Sequence, residues 1–343
     1  MPRMIATHER APAAAPLAHD EPPPWRAVAA GPIVAAVTLV TALIVTSEAG
    51  VPLRDPDGVS LRRFLISAAL VALLVGGDIA FRAGRARWTT ARAVAVGTAL
   101  VSFYVTYFAY RNLKSVVPLL RPGDLFDLEL SDFDRSLFFG HDPAALLHDV
   151  VGTGVATHLF SGVYMLFFLF IPGTLAFALV FSRNLRSGLF YATALTLNWL
   201  LGAISYFLLP SLGPIYIQPA DFSALAGTDA GRLQEILLEQ RMEFLHDPLL
   251  GTAQSIGAFA SLHVSIFVTA ALAAHLLGLR RSVKVVAWIL VALTVGATIH
   301  LGWHYFVDDI GGVAIAVLAV ALARLLTGVD LGEARRAGAA ESS

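Results

Sequence analysis

Three short constellations in this chain of 343 residues combine side chains able to hold and split a phosphate ester. The first is the run Gly302-Trp303-His304-Tyr305-Phe306-Val307-Asp308-Asp309-Ile310-Gly311-Gly312. His304 and Asp308 are four residues apart, and on a helix that spacing stacks them on one face. The carboxylate could then accept a ring N–H, set the tautomer and leave the other nitrogen free as base or nucleophile. The second is Phe259-Ala260-Ser261-Leu262-His263-Val264-Ser265. Ser261 falls where a helix N-terminus would present free amides to an anion, and His263 follows in the first turn, placed to protonate a leaving oxygen. The third is Lys114, separated by six residues from Arg121-Pro122, a point charge and a planar fork that both suit phosphate.

Each element alone admits a plainer reading. His304 beside Trp303 and Tyr305 also fits a histidine at a membrane interface with Asp308 as a helix cap. His263 fits a packed core histidine, and Lys114 and Arg121 fit cations snorkelling toward lipid headgroups.

The elements that must position these residues follow from composition. With 57% hydrophobic and 14% charged residues, the chain is too apolar for one soluble core and calls for lipid as solvent. Apolar stretches near 27–48, 62–81, 92–110, 159–181, 188–209, 257–279, 284–301 and 305–326 each approach the roughly 20 residues a membrane-crossing helix needs. The expected fold is therefore all-α, a polytopic transmembrane bundle of about eight spans. Its short connections carry Arg82, Arg85, Arg87 and Arg92, then Arg183 and Arg186, then Arg280, Arg281 and Lys284, without acids. By the positive-inside rule these loops and both termini are cytoplasmic. The long acidic connections 111–157 and 210–256 are then external, and each is expected to hold interfacial helices. In Arg232-Leu-Gln-Glu-Ile-Leu-Leu-Glu-Gln, Leu233, Ile236 and Leu237 fall on one such apolar face.

This topology, drawn without the motifs, places Lys114, Arg121, Ser261, His263, His304 and Asp308 together at external helix ends. Two histidines, a carboxylate, two cations and a helix N-terminus suit in-line phosphoryl transfer through a phosphohistidine. His300 and His304 are also four apart, but no third ligand accompanies them, so neither metal nor cofactor is expected. The chain has no cysteine, which removes thiolate chemistry, and its net charge of -1 gives no basic stripe for nucleic acid.

The three motifs resemble those of the type 2 phosphatidic acid phosphatase superfamily: Lys114 to Pro122 as Lys-x6-Arg-Pro, Ser261-Leu262-His263, and His304 followed by Asp308. Within it, Ala260-Ser-Leu-His-Val, His304-Tyr-Phe-Val-Asp-Asp-Ile-Gly-Gly and Leu137-Phe-Phe-Gly-His-Asp-Pro are similar to the inositolphosphotransferase branch typified by fungal inositol phosphorylceramide synthase. The likeness spans roughly residues 100–325 and implies a six-helix phosphatase-like core. It also implies His304 as nucleophile, Asp308 as its orienting partner, His263 as leaving-group acid, and Lys114, Arg121 and Ser261 as the phosphate cradle. Phosphatases of the superfamily carry an Arg six residues before the nucleophile; here that position is Thr298, and His300 is the candidate replacement donor.

The expected organisation is a tail over 1–25, accessory spans over 26–95, the phosphotransferase-like domain over 96–328 and a tail over 329–343. The Ala- and Arg-rich composition suggests a bacterial plasma membrane. The leading expectation is transfer of a lipid headgroup phosphate, inositol phosphate by resemblance, to a lipid or glycan hydroxyl. Hydrolysis of a phospholipid or polyprenyl phosphate at the same site is the second reading. A transporter using Asp78 and Asn198 within the membrane is the third.

Overall fold

The computed structural model describes residues 25–81, 87–182 and 184–332. The tail over 1–24, Arg82, Arg85, Arg183 and residues 333–343 lie outside the described residues. Among the described residues all regular structure is helical. The long helices are α1 (Trp25–Glu48), α2 (Val59–Phe81), α3 (Thr90–Leu120), α6 (Val155–Phe181), α7 (Leu185–Leu208), α10 (Leu262–Leu276), α11 (Arg281–His300) and α12 (Phe306–Thr327). The first long connection holds α4 (Asp127–Leu137) and α5 (Pro143–Val151), and the second holds α8 (Pro214–Ile217), a 3-10 turn and α9 (Asp229–His246).

Seven of these helices are long and apolar enough to cross a membrane, so the chain is an integral membrane protein. The sixth expected span differs. Only Leu262–Leu276 is helical there, 15 residues that rise about 22 Å, short of the hydrocarbon thickness. The preceding segment is extended because its amides are taken by other elements rather than by a helix ladder. Ala258 N–H donates to Ser211 O (2.9 Å), Ala260 N–H to Ser205 Oγ (3.0 Å) and Ser261 N–H to Asp308 O (2.9 Å). The third span also departs from 92–110, since α3 runs on through Lys114 to Leu120 and stops at Arg121, the residue before Pro122. Lys114 is thus on a spanning helix, not in a loop.

At the centre stands α7, most of whose residues are buried, against α3, α12 and α1. α2 is the most outward helix and leans on α6 and α3. Asn198 of α7 binds Ser265 and Thr269 of α10 through its side chain, tying the short helix to the central one. α12 approaches α10 closely. A Cβ added at Gly312 would lie 2.4 Å from the Ser261 carbonyl oxygen, so only glycine permits that contact. α9 lays Leu233 and Leu237 against Tyr164 and Trp303, so its apolar face covers the helix ends that carry the histidines.

Gly312→Ala is expected to lower stability by about 1–3 kcal/mol, the cost of overpacking a close contact. Gly77→Ala in α2, where nothing lies within 4 Å, should not. Thermal denaturation of the two variants in detergent checks this.

Candidate active site

His304, His263 and Lys114 line one cavity of about 260 Å³ at the end of the bundle where α3 and α7 finish and α10 and α12 begin. The two imidazole centroids are 6.2 Å apart. His263, in the first turn of α10, is held by rings: it stacks on Tyr164 at 4.1 Å and packs against Phe167 at 3.9 Å. Tyr164 stacks in turn on Trp303 at 4.7 Å and 5° between planes. The His263 Nε2 is buried and has no hydrogen-bond partner among the described residues, while the residue lines the cavity.

His304 lies in the turn between α11 and α12, where Trp303 and His304 both direct their N–H groups to Thr298 O. Gly302 makes that turn possible by adopting a φ of 68°. The expected helical stacking of His304 on Asp308 does not occur, because the helix begins only after His304. Asp308 instead caps α12, its Oδ2 accepting the Tyr305 N–H at 2.9 Å. The same oxygen stands 3.4 Å from His304 Nδ1, close enough to act electrostatically but too long for a hydrogen bond. The cap takes precedence because the first amides of a helix otherwise have no partner.

Two carboxylates of α4 complete this end. Asp134 accepts the N–H groups of Phe306 (2.6 Å) and Val307 (2.9 Å). Asp127 accepts those of Leu212 (3.0 Å) and Gly213 (2.9 Å) and the Tyr305 hydroxyl (3.2 Å). Neither was singled out from sequence, although the buried face of α4 carries Asp127, Leu130, Ser131 and Asp134 at helical spacing with a carboxylate at each end. Asp309 was also missed. It is buried, accepts from Thr298 Oγ1 at 2.9 Å, and is the carboxylate whose charge acts most on His304. Thr298, where an Arg was looked for, therefore serves Asp309. From sequence nothing separates Asp309 from Asp308, since both lie about one turn beyond His304.

The remaining expected residues divide. Lys114 Nζ reaches the cavity beside the Gly257 carbonyl at 3.4 Å and over the Tyr206 ring at 4.4 Å, with no carboxylate partner among the described residues. Arg121 lines an adjoining cavity with Lys114 and Arg241, and is engaged by Asp124 (2.7 Å) and the Phe207 carbonyl (2.5 Å). Ser261 caps α10 through Val264 N–H and gives its own amide to Asp308, which leaves the amides of Leu262 and His263 as the unbonded ones of that first turn. His300 stands outside the cavity: its Nε2 meets Thr157 Oγ1 at 2.9 Å and its ring packs on His148 and Phe160. It cannot act as the phosphate donor in this arrangement.

Burial pushes the His304 imidazole down to about 4; Lys114 adds to the effect, while Asp309 and a backbone hydrogen bond with Ala258 oppose it. His304 is accordingly neutral near pH 7. Burial pushes the Asp134 carboxyl up to about 6, against the two amides that favour its charged form.

One cavity at the helix ends of a polytopic bundle thus gathers two imidazoles and a lysine without a carboxylate partner among the described residues, a set of charges and proton donors suited to a phosphate group. A family model described as PAP2 superfamily matches residues 128–322, more than half of the chain, and the chain belongs to that superfamily. The matched segment runs from α4 to α12 and contains both histidines, while Lys114, Arg121 and α1–α3 precede it. No curated protein and no solved structure matches the chain.

His304 and Asp134 act oppositely on stability between pH 4 and 6. The folded state disfavours protonation of His304, which costs stability as pH falls from about 6.5, and favours protonation of Asp134, which adds stability over the same fall. Asp134→Asn removes the second contribution, so its melting temperature should drop more steeply than the wild type's from pH 6 to 4; parallel curves would disprove the assignment.

Proposed function

We propose that this protein is a membrane phosphotransferase that takes a phosphate-bearing headgroup from a lipid through a phosphohistidine. His304 attacks phosphorus and forms the N–P bond. The P–O bond to the lipid alcohol breaks, and His263 delivers a proton to the departing oxygen. An acceptor hydroxyl then attacks phosphorus, the N–P bond breaks, and the acceptor's proton passes to His263. Lys114 and the free amides of Leu262 and His263 neutralise charge on the phosphoryl oxygens. Asp308 and Asp309 hold His304 electrostatically. One observation carries the reading: two imidazoles with ring centroids 6.2 Å apart line one cavity with a lysine that has no carboxylate partner among the described residues, so both rings border the space in which a single phosphate would sit.

Inositol phosphate as the transferred group, and a lipid or glycan hydroxyl as acceptor, rest on the resemblance to the synthase branch. The absence of the phosphatase arginine at Thr298 supports transfer over hydrolysis. Arginine-rich connections at the opposite end of the bundle support a cytoplasmic placement of that end and an external site, in keeping with a bacterial plasma membrane. Water as acceptor, giving a lipid or polyprenyl phosphate phosphatase, uses the same residues and differs only in product. Transport has less support, because Asp78 is engaged by Arg87 and Trp88 and Asn198 by Ser265 and Thr269.

His304→Ala should abolish turnover of a phosphoinositide donor by protein that keeps its wild-type melting temperature, and His263→Ala should lower kcat by about 10²–10⁴-fold; retained turnover in His304→Ala refutes the mechanism. Product analysis with and without a hydroxyl acceptor separates transfer from release of free phosphate. With His304 neutral down to about pH 4, the acid limb of kcat/KM due to the nucleophile should fall near 4 rather than near 6.5.

A further inference from the structure

The cavity that begins at the histidines continues to Arg63 of α2, a cation that no motif marks. Its neighbour Arg62 is exposed, as expected of an arginine near the end of a spanning helix. Arg63 turns inward instead. Its guanidinium lies 5.3 Å from the Tyr107 ring centre and 5.0 Å from that of Phe168, and Nη1 donates to the Tyr107 hydroxyl at 2.5 Å. It makes no other hydrogen bond and no ion pair among the described residues, whereas Asp57, the carboxylate on the same wall, is committed to Arg111 at 2.7 Å. A guanidinium has five N–H donors, so most of the fork is unused.

Its place in the bundle narrows what it can meet. Tyr107 lies seven residues before Lys114 on α3, about 10 Å of helix rise farther from the site end. Phe168, beneath Arg63, adjoins Phe167, on which His263 packs. Arg63 is thus set below the phosphate position on an aromatic wall, where a lipid's first carbons would run. Leaving a charged fork without acceptors in such a place is costly. A prenyl chain offers no oxygen at that depth, whereas an acyl lipid presents ester or amide carbonyls within a few atoms of its phosphate.

We propose that Arg63 is a specificity-determining residue that receives the acyl carbonyls of the lipid, so that the substrate is an acyl lipid and not a polyprenyl phosphate. This rests on the reading of the histidine pair as the phosphate site. It also gives α2, which precedes the segment matched by the family model, a share in the substrate site.

The test is competition between dioleoyl phosphatidic acid and its dioleyl ether analogue for the full-length protein in detergent, read by native mass spectrometry. The two lipids share the phosphate and differ in the carbonyls. The ester lipid should win by roughly tenfold or more, the size of a hydrogen bond to a charged group. In Arg63→Gln the ratio should fall to about one, in Arg63→Lys it should be intermediate, and in Arg62→Gln it should persist. Equal binding by the wild type, a ratio unchanged in Arg63→Gln, or preferential binding of undecaprenyl phosphate would each overturn the proposal. A general electrostatic role for Arg63 would weaken both lipids alike and leave the ratio intact, which also overturns it. An ester preference without turnover of any lipid phosphate would leave this proposal standing and remove the enzymatic reading of the histidines.

Discussion

The N-terminus of α12 is the point on which the site depends. Helix starts leave amides unbonded, and here the first of them are taken by Asp134 from α4 and by Asp308 from the helix itself. Both carboxylates are buried and complement the positive end of the helix. Because Tyr305 is the cap residue, His304 is fixed immediately outside the helix, with its backbone tied to Thr298 at the end of α11. A one-residue slip of the cap would redirect the imidazole away from His263.

Around that point the molecule combines rigid walls with a fitted floor. α7 lies at the centre of the bundle, and its Ser205 and the adjoining Ser211 hold the extended residues that lead into α10. Gln254 pins the same segment to the last turns of α3 by donating to the Lys114 carbonyl at 2.8 Å. The shortness of α10 thus has a structural counterpart: part of the apolar stretch becomes an extended segment that packs Lys114, Ser261 and His263 at one end of the bundle. The closeness of α10 and α12 at Gly312 then sets the spacing of the imidazoles.

Charge is unevenly distributed here. Asp127, Asp134, Asp308 and Asp309 are all buried near a neutral His304, and the cations lining the two cavities include Lys114, Arg121, Arg241 and, deeper, Arg111 and Arg63. All four carboxylates accept hydrogen bonds from backbone amides or hydroxyls of the supporting frame. Lys114 is left to face the cavity uncompensated, which suits an anionic ligand better than it suits a path for neutral solutes. Aromatic walls made by Tyr107, Tyr164, Tyr206 and Trp303 exclude water without adding charge.

Residue order alone determined the helical class, the position of nearly every span and the grouping of His263, His304 and Lys114 at one end, because apolar length and loop charge are local properties of the chain. It did not determine the start of α12, the helical extent of α3 past Lys114 or the shortening of α10. Each of these is decided by where a backbone amide finds its acceptor, and in α10 and α12 the acceptors come from residues distant in the chain. For the same reason Asp308 reads as a histidine partner in the motif but serves first as a cap, and Asp309 acquires its place only through Thr298. Arg63 is the plainest case: adjacent to an ordinary interfacial arginine, it is distinguished from Arg62 only by the face of α2 that meets Tyr107 and Phe168.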